Sequence, residues 1–157
     1  MNLKVKLLRE GAQAPKRAYA SDAGADVFFC PDPASKSNCR MGEGEDIWVS
    51  PRTSCIIPTG IKVEVPEGYM LEVKNKSGIA SKRQLVVGAC VIDSGYDWEV
   101  YINLHNIPNT TQILAPGDKL AQVVLVPVDT CGFEVVAGDI NNNTERGPGG
   151  FGSTGER

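Results

Sequence analysis

The chain has 157 residues, enough for one well-buried domain and short of two, and its formal net charge is −3. This charge excludes the basic field that bulk nucleic-acid binding needs, while a small anionic ligand held by local groups remains compatible with it. Five irregularly spaced cysteines and one histidine favour neither a complete disulfide set nor a zinc site, so we expect free thiols in a reducing cytoplasm. The sequence shows no signal-peptide core and no run of the roughly 20 apolar residues that span a bilayer, which predicts a soluble intracellular protein.

Short strands separated by proline and glycine dominate the predicted secondary structure. Residues 3–8 alternate apolar and polar side chains, as a half-buried strand does, and no long segment has a 3.6-residue period. The pattern predicts an all-β fold over residues 1–137, a jelly-roll-like subunit or distorted β-barrel with one short helix. The further strands are expected at residues 27–29, 47–49, 54–57, 61–65, 69–73, 98–106 and 119–128.

Two acids lie in the small-residue loop that precedes the strand at 27–29. Asp22 and Asp26 are both able to form a turn, and Asp26, at the mouth of the strand, is the better site candidate. Residues 30–46 follow with prolines, glycines and mixed charge but no period that would give them a buried face. We expect this segment to be an inserted surface loop.

A helix of about two turns is predicted over residues 74–83, with Ser77 as its N-cap. Free N–H groups at a helix start, beside the Ser77 hydroxyl and Lys76, would suit a phosphate. A plain capped surface helix is the alternative.

Residues 86–96 are predicted to form the central feature of the chain, a tight strand pair around the small residues Gly88 and Ala89. At its end, the Asp93 carboxylate could handle a proton and the Tyr96 ring could stack on a sugar. The alternative is that Asp93 caps a turn and Tyr96 fills a core edge.

Two single polar residues and the last segment complete the candidates. His105 is expected to pair across a sheet, and Gln122, inside an apolar strand, is either a satisfied core residue or a site group. From residue 138 the chain is polar and rich in glycine, which predicts a mobile tail. Phe151 among glycines, with Arg146 nearby, favours a phosphate-gripping lid over a disordered terminus.

Five short motifs in a fixed order carry a family resemblance over nearly the whole chain. The sequence resembles the trimeric dUTPases, the deoxyuridine triphosphate nucleotidohydrolases. It departs from their pattern at Lys76 (usually Arg), Cys90 (usually Gly), residues 97–98 (usually Arg-Gly) and the long 30–46 segment. The motifs are DAGADV (22–27), KSGIA (76–80), GACVIDSGY (88–96), GDKLAQV (117–123) and RGPGGFGSTG (146–155).

The resemblance implies a homotrimer with three active sites shared between subunits and Mg²⁺ bound mainly by the substrate triphosphate and water. The expected activity is hydrolysis of dUTP to dUMP and pyrophosphate, which supports dTTP synthesis and keeps uracil out of DNA. Asp93 would activate the attacking water, Asp26 would orient Mg²⁺-bound water, and Gln122 would assist. The substrate-binding residues implied are Lys76, Ser77, Gly78, Ala89, Cys90, Ile92, Tyr96, Arg146, Phe151, Gly152 and Ser153.

Two other functions remain open from the sequence. A dCTP deaminase would share a related fold, but the resemblance places its catalytic Glu where this chain has Asn103. A regulatory role added to the hydrolase, with residues 30–46 as the docking surface of a protein partner, is the second.

Overall fold

The structure, a computed structural model, describes residues 2–34 and 38–140. Within these ranges the chain forms twelve short strands, one turn at Glu43–Glu45 and one helical turn at Ile79–Arg83. The all-β prediction with one short helix is confirmed. The strands are β1 (Lys4–Leu7), β2 (Ala25–Phe28), β3 (Arg40–Met41), β4 (Ile47–Val49), β5 (Ser54–Pro58), β6 (Ile61–Glu64), β7 (Tyr69–Lys74), β8 (Leu85–Val87), β9 (Val91–Ile92), β10 (Tyr101–Asn106), β11 (Gln112–Leu114) and β12 (Lys119–Pro127).

All described strand pairs are antiparallel, and they form four small sheets around one core. The strand orders are β1-β6, β5-β10-β8, β11-β4-β3 and β2-β12-β7-β9. Alternation along each strand sends one face inward, as in β10, where Ile102 and Leu104 are fully buried and Asn103 between them is not. Burial of each such side chain stabilises the fold by about 1.5–3 kcal/mol. Among the described residues, no helix is long and apolar enough to cross a membrane.

The predicted tight strand pair at residues 86–96 is wrong in its pairing. β8 pairs with β10, whereas β9 pairs with β7, so the two strands belong to different sheets. Residues 88–90 therefore cross from one sheet to the other instead of closing a hairpin. Local sequence shows where strands end, but it does not show which distant strand provides the hydrogen bonds.

The predicted helix is shorter than expected. Lys74 is the last residue of β7, and the helical turn Ile79–Arg83 follows Gly78, with no side-chain cap. The Ser77 N-cap is therefore wrong. The alternating pattern of β7 extends to Lys74 because Lys74 lies opposite Gln122 on β12.

The described part of the 30–46 segment is anchored to the core more firmly than its composition indicates. Cys30 is buried, and β3 pairs with β4. Cys39 forms a disulfide with Cys55 on β5, with their Cα atoms 5.3 Å apart. The expectation of free thiols is wrong for this pair, because the fold brings together two cysteines that are 16 residues apart in sequence.

Candidate active site

A buried carboxylate between two lysines is the most distinctive polar feature of the described fold. Asp26 on β2 is 6 % exposed. Its Oδ1 lies 2.9 Å from Nζ of Lys76, and its Oδ2 lies 2.8 Å from Nζ of Lys119. Burial alone would raise the pKa of Asp26, but the hydrogen bonds from Lys119 and Lys76 outweigh it and hold the pKa below its ordinary value. Asp26 is therefore ionised near neutral pH and joined to two cations.

The strand register brings Gln122 beside this group. Gln122 on β12 lies opposite Asp26 on one side and opposite Lys74 on the other. Its Nε2 donates to the carbonyl of Asn75 at 3.0 Å, and its carboxamide lies so close to Gly24 that a Cβ there would overlap it. The amide of Gln122 thus has a partner and a fixed position next to the lysines.

Ser77 and Gly78 follow Lys76 in the turn that leads into the helix. The carbonyl of Lys76 accepts the N–H groups of Ile79 at 3.0 Å and Ala80 at 2.9 Å, which closes this turn. Since the helix has only five residues, the attraction for an anion comes from the charge of Lys76 and Lys119 more than from a helix dipole.

The backbone of residues 89–92 is held in place by hydrogen bonds within the protein. The N–H of Ala89 donates to Oδ1 of Asn103 at 3.2 Å, and the carbonyl of Cys90 accepts the N–H of Val73 at 2.8 Å. Ile92 is buried opposite Leu71. Val91, at 54 % exposure, faces outward. This edge is therefore fixed in shape and accessible from one side.

Asp93 and Tyr96 form the exposed turn after β9. The N–H of Tyr96 donates to the carbonyl of Asp93 at 3.2 Å, so the backbone closes the turn while the carboxylate is exposed to solvent. The hydroxyl of Tyr96 donates to the carbonyl of Glu99 at 2.9 Å, and burial raises its pKa. Tyr96 is 40 % exposed, which leaves much of its ring open to a ligand.

One chain does not bring Asp93 to the lysine-flanked acid. Gln122 lies opposite Lys74 of β7, whereas Ile92 lies opposite Leu71 and Asp93 follows it. Asp93 is thus level with Met70, four residues along β7, which is about 13 Å at the usual rise of a strand. The two halves of the predicted site lie at different positions on one subunit.

Three residues for which no role was predicted contact the predicted site residues. They are Lys119, Asn75 and Asn103. Lys119 stands inside the motif 117–123, at the start of a strand that pairs with β2, and a strand register would have revealed it. Asp22 is a turn residue, since its carboxylate accepts the N–H of Tyr19 at 2.9 Å. The predicted tail residues Arg146, Phe151, Gly152 and Ser153 lie outside the described residues.

The donor set fits a Mg²⁺ ion that is carried largely by the substrate. Among the described residues, no three acidic, histidine or cysteine side chains converge into a metal site. Mg²⁺ commonly keeps several waters and uses one or two carboxylates plus substrate phosphates, and Asp26 supplies such a carboxylate. Both oxygens of Asp26 are paired with lysines in this structure, and its contact with Mg²⁺ through water stays a prediction.

Comparisons with known proteins agree on one family. The dUTPase family model matches residues 43–155. The deoxyuridine 5'-triphosphate nucleotidohydrolase of Chlamydia pneumoniae is 39 % identical over 150 residues, 94 % of each chain. That of Hydrogenobaculum sp. is 36 % identical over 157 residues, 99 % of each chain.

Solved structures agree with this result. The dUTPase of Staphylococcus bacteriophage 80alpha, described with dUpNHpp, has a TM-score of 0.77 and 28 % identity, and the match covers 98 % of each chain. A dUTPase of phage phi11 of S. aureus, described with a structural Mg(II) ion, has a TM-score of 0.73 at 28 % identity, covering 88 % of this chain and 98 % of that one.

The antiparallel β fold matches those of solved dUTPases, which places the chain in a class of nucleotide hydrolases. The family model covers well over half of the sequence, and the relatives match nearly all of it. This chain belongs to the dUTPase family. The resemblance drawn from the five motifs is confirmed.

Proposed function

We propose that this protein hydrolyses dUTP to dUMP and pyrophosphate with Mg²⁺, which supports dTTP synthesis and keeps uracil out of DNA. The observation that carries the proposal is the fixed group of Asp26, Lys76, Lys119 and Gln122, in a chain of the dUTPase family. We propose that it acts in the cytoplasm.

The triphosphate binds at the lysine-flanked acid. Lys76 and Lys119 exchange part of their contact with Asp26 for phosphate oxygens, and Ser77, Gly78 and Gln122 donate further hydrogen bonds. Mg²⁺, when bound, offsets the negative charge of the phosphates and of the leaving pyrophosphate. Asp26 faces this charge through water.

The exposed carboxylate of Asp93 takes the proton. A water molecule beside Asp93 attacks the α-phosphorus, a P–O bond forms, and the bond from the α-phosphorus to the bridging oxygen breaks. The bond electrons leave with pyrophosphate, and the water proton passes to Asp93. Because its carboxylate does not close its own turn, Asp93 is available for this role.

The backbone at residues 89–92 selects the base. Uracil presents O4 where cytosine presents an amino donor, and a donor facing a donor costs about 1–3 kcal/mol when buried. The ring of Tyr96 lies against the deoxyribose and excludes a 2′-hydroxyl. The tail then closes with Phe151 over the base and with Arg146, Gly152 and Ser153 at the phosphates.

A homotrimer with shared sites is the assembly that we propose. The offset of about 13 Å along β7 between Asp93 and the level of the lysine-flanked acid supports a site that takes these groups from different subunits. The segment after β12 is extended, with Phe133 97 % and Val135 98 % exposed, which is unusual for apolar side chains in a finished assembly. A second copy offers a groove of about 480 Å³ for them, which is polar at Asn2 and Arg17 and has as its large apolar side chains Leu3, Val5, Val63, Leu71, Val123 and Leu125.

A substrate survey tests the proposal. Pyrophosphate release and ammonia release are measured with dUTP, dCTP, dTTP and UTP in the presence of Mg²⁺. We expect pyrophosphate from dUTP alone. Ammonia from dCTP would instead establish the deaminase, although the Asn103 amide at the position of its catalytic Glu offers no titratable proton.

Docking of a protein partner on residues 30–46 stays a prediction. The described part presents Met41, which is 46 % exposed, and Arg40 stacked 5.3 Å above the Trp48 ring. A variant that shortens this segment while keeping Cys39 would separate docking from catalysis, because dUTP hydrolysis should be unchanged.

A further inference from the structure

The crossing between the two sheets is held by an unusual set of hydrogen bonds. Three successive N–H groups point to two asparagines. The N–H of Val87 donates to Oδ1 of Asn75 at 2.7 Å, that of Gly88 to the carbonyl of Asn103 at 2.9 Å, and that of Ala89 to Oδ1 of Asn103 at 3.2 Å. The N–H of Gly88 still bonds the backbone of β10, whereas the N–H groups of Val87 and Ala89 have no backbone acceptor there and are satisfied by the asparagine side chains.

Each asparagine is also fixed at its other side. Asn75 directly follows β7, and its carbonyl accepts Nε2 of Gln122 at 3.0 Å. Asn103 lies within β10, and its Nδ2 donates to the carbonyl of Cys55 on β5 at 3.3 Å. The carboxamide of Asn103 is therefore used as donor and acceptor together, which neither Asp nor Leu reproduces.

Gly88 permits this arrangement. A Cβ at Gly88 would overlap Oδ1 of Asn103 and the ring of His105. The close approach of Asn103 to the crossing thus depends on the absence of a side chain at residue 88. Residue 88 is glycine at the point where the Asn103 side-chain amide lies against the backbone.

We propose that Asn75 and Asn103 are positioning residues that clamp the backbone from Val87, the last residue of β8, to Ala89 in the crossing, and so hold the adjoining backbone in the shape that binds the pyrimidine. This inference rests on the proposed function for the base-binding role of residues 89–92. Neither asparagine touches the substrate in this assignment. They act through the backbone, and their loss should affect the base and not the phosphates.

Ligands that contain only the base and sugar, or only the phosphates, of dUTP separate an effect on base binding from an effect on phosphate binding. Dissociation constants are measured for dUMP, a non-hydrolysable dUTP analogue and inorganic tripolyphosphate, each with Mg²⁺. The variants are Asn75→Ala, Asn103→Ala and the double variant, with Asn109→Ala as the matched control. Asn109 is an exposed asparagine whose side chain bonds Arg52.

Asn75→Ala loses one side-chain hydrogen bond and should weaken binding of dUMP and of the analogue equally, by about five- to ten-fold. Asn103→Ala loses two and should weaken both at least as much. Tripolyphosphate binding should be unchanged. The double variant should lose less than the product of the two factors, because both asparagines hold one segment. Asn75→Asp, which keeps the acceptor for Val87, should restore dUMP binding, and Asn103→Asp should restore part of it.

Amide exchange of the free protein gives a readout that needs no nucleotide. In Asn103→Ala, protection of the Ala89 N–H should fall while that of Val73, which bonds the carbonyl of Cys90, is kept. If Ala89 protection is unchanged, the clamp is wrong while the proposed function stands. An equal loss of dUMP and tripolyphosphate binding would also contradict the clamp, because it would indicate a general structural role. If the wild-type protein binds neither dUMP nor the analogue, the proposed function itself is wrong. Should Asn103→Ala fail to fold, Asn75→Ala and Asn103→Asp provide the same comparison.

Discussion

Lys119 Nζ lies 2.8 Å from Oδ2 of Asp26, on the side of the carboxylate opposite to Lys76. A buried acid with one lysine per oxygen has a depressed pKa, so its ionised form is favoured by folding. Its stabilising contribution is full above the ordinary pKa of 3.8 and is lost as the pH falls through the lower value of the folded protein.

Asp26→Asn should therefore destabilise the protein by about 1–3 kcal/mol at pH 7, a range that allows for the partial exposure of both lysines. The difference from wild type should shrink as the pH falls below about 4. Urea midpoints at fixed protein concentration measure it. A constant difference across this range would contradict the ion pairing, and Asp129→Asn, at an exposed acid, is the control.

Asp93→Asn should lower kcat by about a hundred-fold or more, because general-base catalysis contributes on this scale. Binding of a non-hydrolysable dUTP analogue should stay within a few-fold of wild type. Steady-state turnover and calorimetric titration measure the two quantities. Near-normal turnover in Asp93→Asn would leave Asp93 as an ordinary turn residue, and Asp97→Asn in the same turn should be active.

Mixed trimers test the division of the site between subunits. Asp93→Asn chains and Gln122→Ala chains should each be poorly active alone, and mixing them should restore activity, since some sites then combine intact groups. Unfolding and refolding of the mixture, followed by mass measurement of the trimers, ensures exchange. Mixed trimers that stay inactive would mean that each subunit carries both groups of its own site.

The tail beyond residue 143 is predicted to close over bound substrate. Its glycine-rich composition buries too little apolar surface to fold alone, and ordering it costs roughly 1–2 kcal/mol per residue. Deletion of residues 144–157 should lower turnover strongly and leave the melting temperature of the β core nearly unchanged. Hydrolysis at the full rate by the truncated protein would contradict the lid.

The Cys39–Cys55 disulfide closes a loop of 16 residues and should stabilise the fold by about 3 kcal/mol. Reduction with dithiothreitol should lower the melting temperature, and the Cys39→Ser variant should melt at the reduced value and be insensitive to the reductant. Thiol titration of the unfolded, unreduced protein should find three thiols, those of Cys30, Cys90 and Cys131. Five thiols would contradict the disulfide.

Local pattern predicted the strands well because proline and glycine mark their ends, as at β5 and β6. It could not predict the partners of β8 and β9, or the pairing of Cys39 with Cys55, because these depend on contacts between distant segments. Residue 74 shows the same limit, since its place in a strand is decided by Gln122 across the sheet. The Asp26 cluster was predicted only in part. Asp26, Lys76 and Gln122 were chosen from the motifs, but the contact of Lys119 with Asp26 depends on the strand register.

The crossing at residues 88–90 also connects two sheets covalently. One end continues into the sheet that contains β5 and β10, and the other end joins the sheet that contains β7 and β12. A nucleotide seated there would bridge both sheets, so pulling β5 away from β7 should require more force in its presence. Bound substrate would then hold together parts of the fold that it does not touch.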